Sequence, residues 1–534
     1  MKGVDSKSQL GHLGGLLIDS LRTIENYETS VTSKRKKEMI HVPTVGSKVS
    51  SAYEQLRNAS EYAEDDLLQQ RAIRRYLKRV LSFHTKTDTK NLAHELVTEL
   101  TQSEYLQNNH TPVSDIHGIS HHINRYYDAY WEYAEKEHHS SKRLAFQNWV
   151  LDALAVRCEQ TLRSHIRQLM FAHFAYSYIH DKVDIKKMIH DHEKIASDEY
   201  AVVLYIAIHR SLLKSDNATI RIALLDSYRK DITDIHAFAD FNAMLDRMLE
   251  TKTVANTARI VGKNGASLRF IYTGFFREDA PMAARSLKSE DALEHGLRQH
   301  IEQEYRSLNQ RLDRGIVKSV AFLLITKTII GVLIEVPYDY LVYDMIIWVP
   351  LLLNLFFPAV FIALSRLALS TPDSRNTNAV VDQIHAMLFA GDHQKYEMKM
   401  PRESRSIGFT FTYGVMFIIM FTALSYILYS LEFNIVQGVI FFIFLSTASF
   451  LSFRLSRQIQ EHEAIHSNQS TLSLLRDVLY MPFIYVGQQI SYRYSKVNIV
   501  ATVLDILIEL PLKTILRLVR QWTQFLSTKK DELI

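Results

Sequence analysis

With 534 residues, 22% of them charged, and a net charge of only +4, the chain is too polar to lie wholly in lipid, and nothing global in its charge points to nucleic acid. A single cysteine, Cys158, excludes an intramolecular disulfide and any cysteine-rich zinc site, in keeping with a reducing compartment. Ten prolines and seventeen glycines are few for this length, and alternating strand patterns bounded by turns are hard to find, so the class expected is all-α.

Near the N-terminus, Leu13–Ile18 is the only apolar run and is bounded by His12 and Asp19. It is too short for a signal-peptide core, so the first membrane span is expected to direct insertion. Thr32–Val45, with the basic run Lys34–Lys37 followed by Pro43, reads as an exposed linker that closes an N-terminal segment over 1–49.

A helical cytoplasmic domain is expected over 50–315. From Ser50 to Phe83 the apolar positions Tyr53, Leu56, Leu67, Ile73, Tyr76, Leu77 and Val80 recur at helical spacing, opposite Glu54, Arg57, Glu61, Arg71, Arg75 and Lys78. Further helices are expected at Asn91–Tyr105, Gly118–Ala134, Lys142–Ile179, Ser197–Leu213, Thr219–Tyr228 and Ile232–Leu249. The polar stretch Leu287–Arg314 leads without a proline into the first apolar run and is expected to continue it as one helix. His117 and His121 are four apart, but no further ligands converge on them to specify a metal. Gly262–Gly265 lacks the glycine spacing and the Lys-Ser or Lys-Thr pair of a phosphate-binding loop.

Four apolar stretches follow, at Ser319–Val336, Met345–Ser365, Ile407–Ser430 and Ile435–Phe453. Each approaches the roughly 20 residues needed to cross a hydrocarbon core about 30 Å thick. Lysine and arginine flank them on one alternating side: Arg306, Arg311, Arg314 and Lys318 come before the first, Arg366, Arg375, Lys395, Lys399, Arg402 and Arg405 between the second and third, and Arg454 and Arg457 after the fourth. The other connections, Pro337–Asp344 and Leu431–Asn434, contain none. Because cytoplasmic loops are enriched in these residues, both termini are expected in the cytoplasm. The spans then form two hairpins, over 316–368 and 406–455, with a cytoplasmic connection over 369–405. Tyr338, Tyr340, Tyr343, Trp348, Tyr426 and Tyr429 gather at the expected outer interface, where amphipathic rings are favoured.

Lys327 falls near the middle of the first span, where a lysine costs about 2.5–3.5 kcal/mol on insertion scales. Glu335 is eight residues on, about 12 Å along a regular helix, and is expected to be too far for direct pairing unless another chain supplies a carboxylate. The second span contains Asn354, Pro350 and Pro358, the third Thr410, Thr412, Thr422 and Ser425, and the fourth Gln437, Ser446, Thr447 and Ser449; small hydroxyl residues let helices approach and hydrogen-bond, so packing explains most of these positions.

After the fourth span, His462-Glu463-Ala464-Ile465-His466 matches H-E-x-x-H. On a helix this string would place two zinc-binding imidazoles one turn apart, with Glu463 able to activate a bound water. The surrounding residues are polar all round, unlike an embedded catalytic helix. The tail over 456–534 is expected to form amphipathic helices that lie along the cytoplasmic interface or pack on the spans, anchored by Trp522 and Phe525. A fifth span through Asn498–Leu512 competes with that reading, opposed by Asp505 and Glu509.

The tail segments Met481–Ser491, Leu504–Leu512 and Trp522–Glu532, with the N-terminal segments Ala52–Ala59, Glu64–Leu68 and Ala72–Arg79, resemble uncharacterised multi-pass membrane proteins of reduced-genome, candidate-phylum bacteria. The resemblance covers about a fifth of the chain; it implies a bacterial membrane family and transfers no activity and no catalytic residue. The expected function is a non-enzymatic scaffold or envelope-associated assembly protein in the cytoplasmic membrane, whose partners are the lipid bilayer and other protein chains or a second copy, with no nucleic acid. The alternatives are an oligomeric channel or transport component using Lys327, and a membrane zinc metalloprotease using His462, Glu463 and His466. Zinc enters only under the last of these, and no other cofactor is expected.

Overall fold

The computed structural model describes residues 10–34, 38–43, 47–60, 65–189, 193, 195–282, 286–287, 289–367, 372–389, 407–465, 480–491 and 493, with isolated positions between 514 and 529. Among these residues the regular structure is helical, apart from an isolated bridge between Met39 and Pro112.

The N-terminal helical region carries two apolar cores. One gathers Ile73, Leu96, Ile123, Phe146, Leu154 and Phe238, from the helices between Asp65 and Leu162 and from Ile235–Leu249. The other gathers Leu17, Phe174, Ile206, Phe276, Leu297 and Ile384. Side chains far apart in sequence therefore share the second core, including those of helix Ser374–Leu388, which lies between the second and third apolar helices. Gly14 marks a close approach in that packing, since a Cβ there would come within 2.5 Å of the Leu388 carbonyl oxygen.

Two expectations change here. The helix expected over Lys142–Ile179 is two helices, Ser140–Leu162 and Ile166–Ile179, because Arg163 takes an extended conformation (φ −137°, ψ 126°). The segment expected as the exposed linker Thr32–Val45 begins inside helix His12–Lys34 and continues, over 38–43, as a strap across the first core. Its Ile40 and Val42 are buried, and its backbone bonds to Thr111, Val113 and the Asn108 side chain. The remainder of the basic run, residues 35–37, lies outside the described residues.

Among the described residues, four helices are long and apolar enough to cross a membrane. The first belongs to one continuous helical stretch, Glu290–Tyr343, of 54 residues. At about 1.5 Å per residue it measures roughly 80 Å, more than twice the hydrocarbon thickness, so its polar N-terminal part extends well into the N-terminal region. Pro337–Asp344, expected as a loop, is helical as far as Tyr343: Pro337 stands in the first turn of helix Val336–Tyr343, where its missing N–H and fixed φ are tolerated. The second apolar helix is Trp348–Leu367, the third Ile407–Ser430, and the fourth Ile435–Gln460, two turns longer than its apolar run. The first, second and fourth pack on one another through Leu323, Ile362, Phe444 and Ala448. The third leaves Phe411, Ile418 and Ile419 exposed, a surface suited to lipid rather than water.

Residues 480–491 are helical and pack against these helices. Phe483 is buried, with its ring 5.0 Å from that of Phe421, and Tyr480 meets Phe361 edge-on at 5.5 Å. Gly487 permits the approach, since a Cβ there would stand 2.1 Å from the Ser446 carbonyl oxygen and 2.8 Å from Phe450 Cβ. Backbone cannot yield as a flexible side chain does, so Gly487→Ala is expected to push this helix off the bundle, at a cost of about 1–3 kcal/mol. Faster hydrogen exchange over 480–491 in the purified variant would register it; wild-type exchange would show that the close contact does not exist. The competing fifth span through Asn498–Leu512 lies outside the described residues.

Candidate functional site

Lys327 and Glu335 are fully buried, and the Lys327 ammonium donates directly to Glu335 Oε1. The contact corrects the expectation that eight residues hold them apart, and the backbone supplies the reason. Gly331–Glu335 forms a π-turn in which the Val336 N–H donates to the Gly331 carbonyl, five residues back. In a regular helix, eight residues turn through about 800° and leave the two side chains some 80° apart. A π-turn holds one extra residue, so the pair keeps the phase of i and i+7, within about 20° of one face. Glu335 leans toward the helix N-terminus, as helical side chains do, and the long lysine spans the rest. The ammonium also lies 5.0 Å from the centroid of the Phe444 ring, a cation–π contact.

The pair is one end of a longer buried network. Asn354, from the second apolar helix, donates through Nδ2 to Glu335 Oε2 at 3.2 Å and to the Gln437 carbonyl oxygen at 3.1 Å. Gln437 donates through Nε2 to Asp339 Oδ2 at 2.9 Å, and Asn434 donates through Nδ2 to Asp339 Oδ1 at 2.7 Å. The Ile347 N–H adds a weaker contact to Asp339 Oδ2 at 3.4 Å. Asn434 and Gln437 also make the capping box that starts the fourth apolar helix: the Gln437 N–H donates to Asn434 Oδ1, and the Asn434 N–H to Gln437 Oε1. The same two side chains thus begin a helix and hold a carboxylate. Asp339, read from sequence as a loop residue, is fully buried within this network. No local signal marks it, since the amides that hold it come from Asn434 and Gln437, some 95 residues on.

The H-E-x-x-H string does not form the helix that a zinc site of this kind requires over its described part. The fourth apolar helix stops at Gln460, and residues 461–465 run on as turns and bends. His466 lies outside the described residues, and no group of three or more His, Cys, Asp or Glu that could hold a metal occurs among those described. His462 Nδ1 donates to the Gln458 carbonyl at 2.8 Å, and its ring meets Phe270 at 5.7 Å. Burial, with the nearby charges of Arg269 and Arg311, holds the imidazole below its ordinary pKa; burial likewise raises the Glu463 carboxyl.

This segment is a joint between the last apolar helix and the N-terminal region. Asn376 Nδ2 donates to the His462 carbonyl at 2.9 Å and to Tyr305 Oη at 2.8 Å, while its Oδ1 accepts from the Ala464 N–H at 2.7 Å and the Ile465 N–H at 3.1 Å. Arg269 is buried and donates to the carbonyls of Glu461, Ser211 (3.3 Å) and Gly262 (2.9 Å). Lys214 Nζ reaches Glu461 Oε1 at 2.7 Å. Burial would raise the Glu461 carboxyl, but the charges of Arg269 and Lys214 outweigh it and hold the group below its usual range.

No protein-family model, curated protein or solved structure matches this chain. The functional reading therefore rests on the polar network and on this joint.

Proposed function

We propose that the protein is a multi-pass integral membrane protein of a bacterial cytoplasmic membrane and that it acts as a non-enzymatic scaffold, with its N-terminal helical region in the cytoplasm. Three stretches that carry or adjoin basic residues meet that region: the N-terminal part of the long helix, helix Ser374–Leu388 with Arg375, and the joint that follows the Arg454 and Arg457 end of the fourth apolar helix. The opposite end joins Asp339 to Asn434 and exposes Tyr340, Tyr343, Trp348, Tyr426 and Tyr429. This division supports two hairpins whose arginine-poor and lysine-poor ends face outward.

The observation that carries the scaffold reading is the joining of the helical region to the apolar helices at those three places, which suits a platform holding one surface fixed relative to the membrane. Pairing Lys327 with Glu335 inside one chain also removes the need for a pore to explain the buried lysine. The reading predicts that cross-linking in native membranes captures a defined partner on the helical region, and that proteoliposomes show no ion flux dependent on this chain. A conductance changed by Lys327→Ala would replace the scaffold with a transport component.

A further inference from the structure

The polar network contains one more negative charge than positive. Lys327 neutralises Glu335, but Asp339 is met only by the neutral amides of Asn434 and Gln437 and the Ile347 N–H; among the described residues no lysine, arginine or histidine pairs with it. The two helices packed on it bring no charge to this level, since Arg366 stands at the far end of one, and Arg454 and Arg457 at the far end of the other. A buried carboxylate without a cation is costly in an apolar bundle. The second observation is Asn354. Its amide sits inside the network through Nδ2, the residue is fully buried, and its Oδ1 has no hydrogen-bond partner. An acceptor without a donor, on a side chain bonded to Glu335 and to the Gln437 carbonyl in the network that also holds Asp339, calls for a positive ligand small enough to share the site. The approach from the nearer end of the bundle is also acidic, for the connections there contain Asp344 and Glu432 and no lysine or arginine.

We infer that the network formed by Glu335, Asp339, Asn354 and Gln437 is a binding site for one small monovalent cation, an alkali ion or a proton, which enters from the Asp344–Glu432 end and stops at Lys327. Lys327 sets the stoichiometry: its fixed ammonium already balances one carboxylate, so only one further charge is accommodated. This goes beyond the scaffold reading and does not depend on it, because a bound ion can hold the bundle together without crossing the membrane.

The test uses the full chain in detergent or nanodiscs. Thermal unfolding is followed in sodium, potassium, lithium or choline chloride at equal ionic strength, at several pH values, and binding of sodium is measured directly by sodium NMR line broadening. An alkali ion as ligand gives a saturable rise in midpoint with one small ion over choline, and Asn354→Ala, which removes the free acceptor, raises its half-saturating concentration by about tenfold or more. A proton as ligand gives no preference among salts but a midpoint that falls as pH rises through the titration of the site, a slope that Asp339→Asn flattens. If Asp339→Asn does not fold, the same slope is read in Asn354→Ala, whose altered acceptor shifts it along the pH axis. Equal midpoints in all four salts, no sodium broadening, and pH profiles for the variants that superimpose on wild type would overturn the inference.

Discussion

Glu335→Ala is expected to destabilise the apolar helix bundle by roughly 3–5 kcal/mol, since it leaves the Lys327 ammonium buried without its counter-charge. Asn354 Nδ2 would lose one acceptor in the same step. The double variant Lys327→Met with Glu335→Leu removes both charges and keeps comparable volume; it should lie near wild type or above it, because two well-packed apolar side chains escape the desolvation that the ion pair must overcome. Denaturant unfolding of the purified protein in mixed micelles measures all the variants on one scale. Were Glu335→Ala to unfold like wild type, the ammonium would have another partner or water, and the pair would not be the anchor of this network.

The second large effect concerns the joint. Asn376→Ala removes four hydrogen bonds at once, those to the His462 carbonyl, the Ala464 and Ile465 N–H groups and Tyr305 Oη. With each orphaned buried group costing about 1–3 kcal/mol, and water able to reach some of them, a total near 3 kcal/mol is expected. The loss should be local. Hydrogen exchange should rise over residues 461–465 while the core around Phe146 and Leu154 keeps its protection. Arg269→Lys is a useful companion, since a lysine keeps the charge but cannot serve three carbonyls with a planar fork. Uniform protection in both variants would show that the segment is held by something other than these side chains.

Much of this architecture can be read from residue order because hydropathy and helical period are local properties. The third apolar helix runs from Ile407 to Ser430, where the apolar run does, and the polar stretch that ends at Arg314 leads into the first apolar run within one helix, which begins at Glu290. What escapes a local reading depends on partners distant in the chain. Asp339 looked like a loop residue because it falls in the connection Pro337–Asp344, past the end of the first apolar run, and only the amides of Asn434 and Gln437, some 95 residues later, explain a buried carboxylate there. Lys327 looked unpaired because the helical period was assumed unbroken, and one extra residue in a turn is enough to bring Glu335 round. His462 and Glu463 offered a zinc-site alternative by spacing alone, against surroundings too polar for a catalytic helix. Their backbone is held instead by Asn376 and Arg269, whose reach no motif encodes.

The stretch Glu290–Tyr343 also constrains how the molecule can move. About 50 Å of its roughly 80 Å length lies beyond the thickness of a hydrocarbon core, so a tilt of about 10° in the bilayer would carry its polar end through roughly 9 Å. Its one departure from regular geometry, Gly331–Glu335, sits toward the end remote from the N-terminal region and cannot absorb that swing. When the apolar helices reorient, the N-terminal region travels with them.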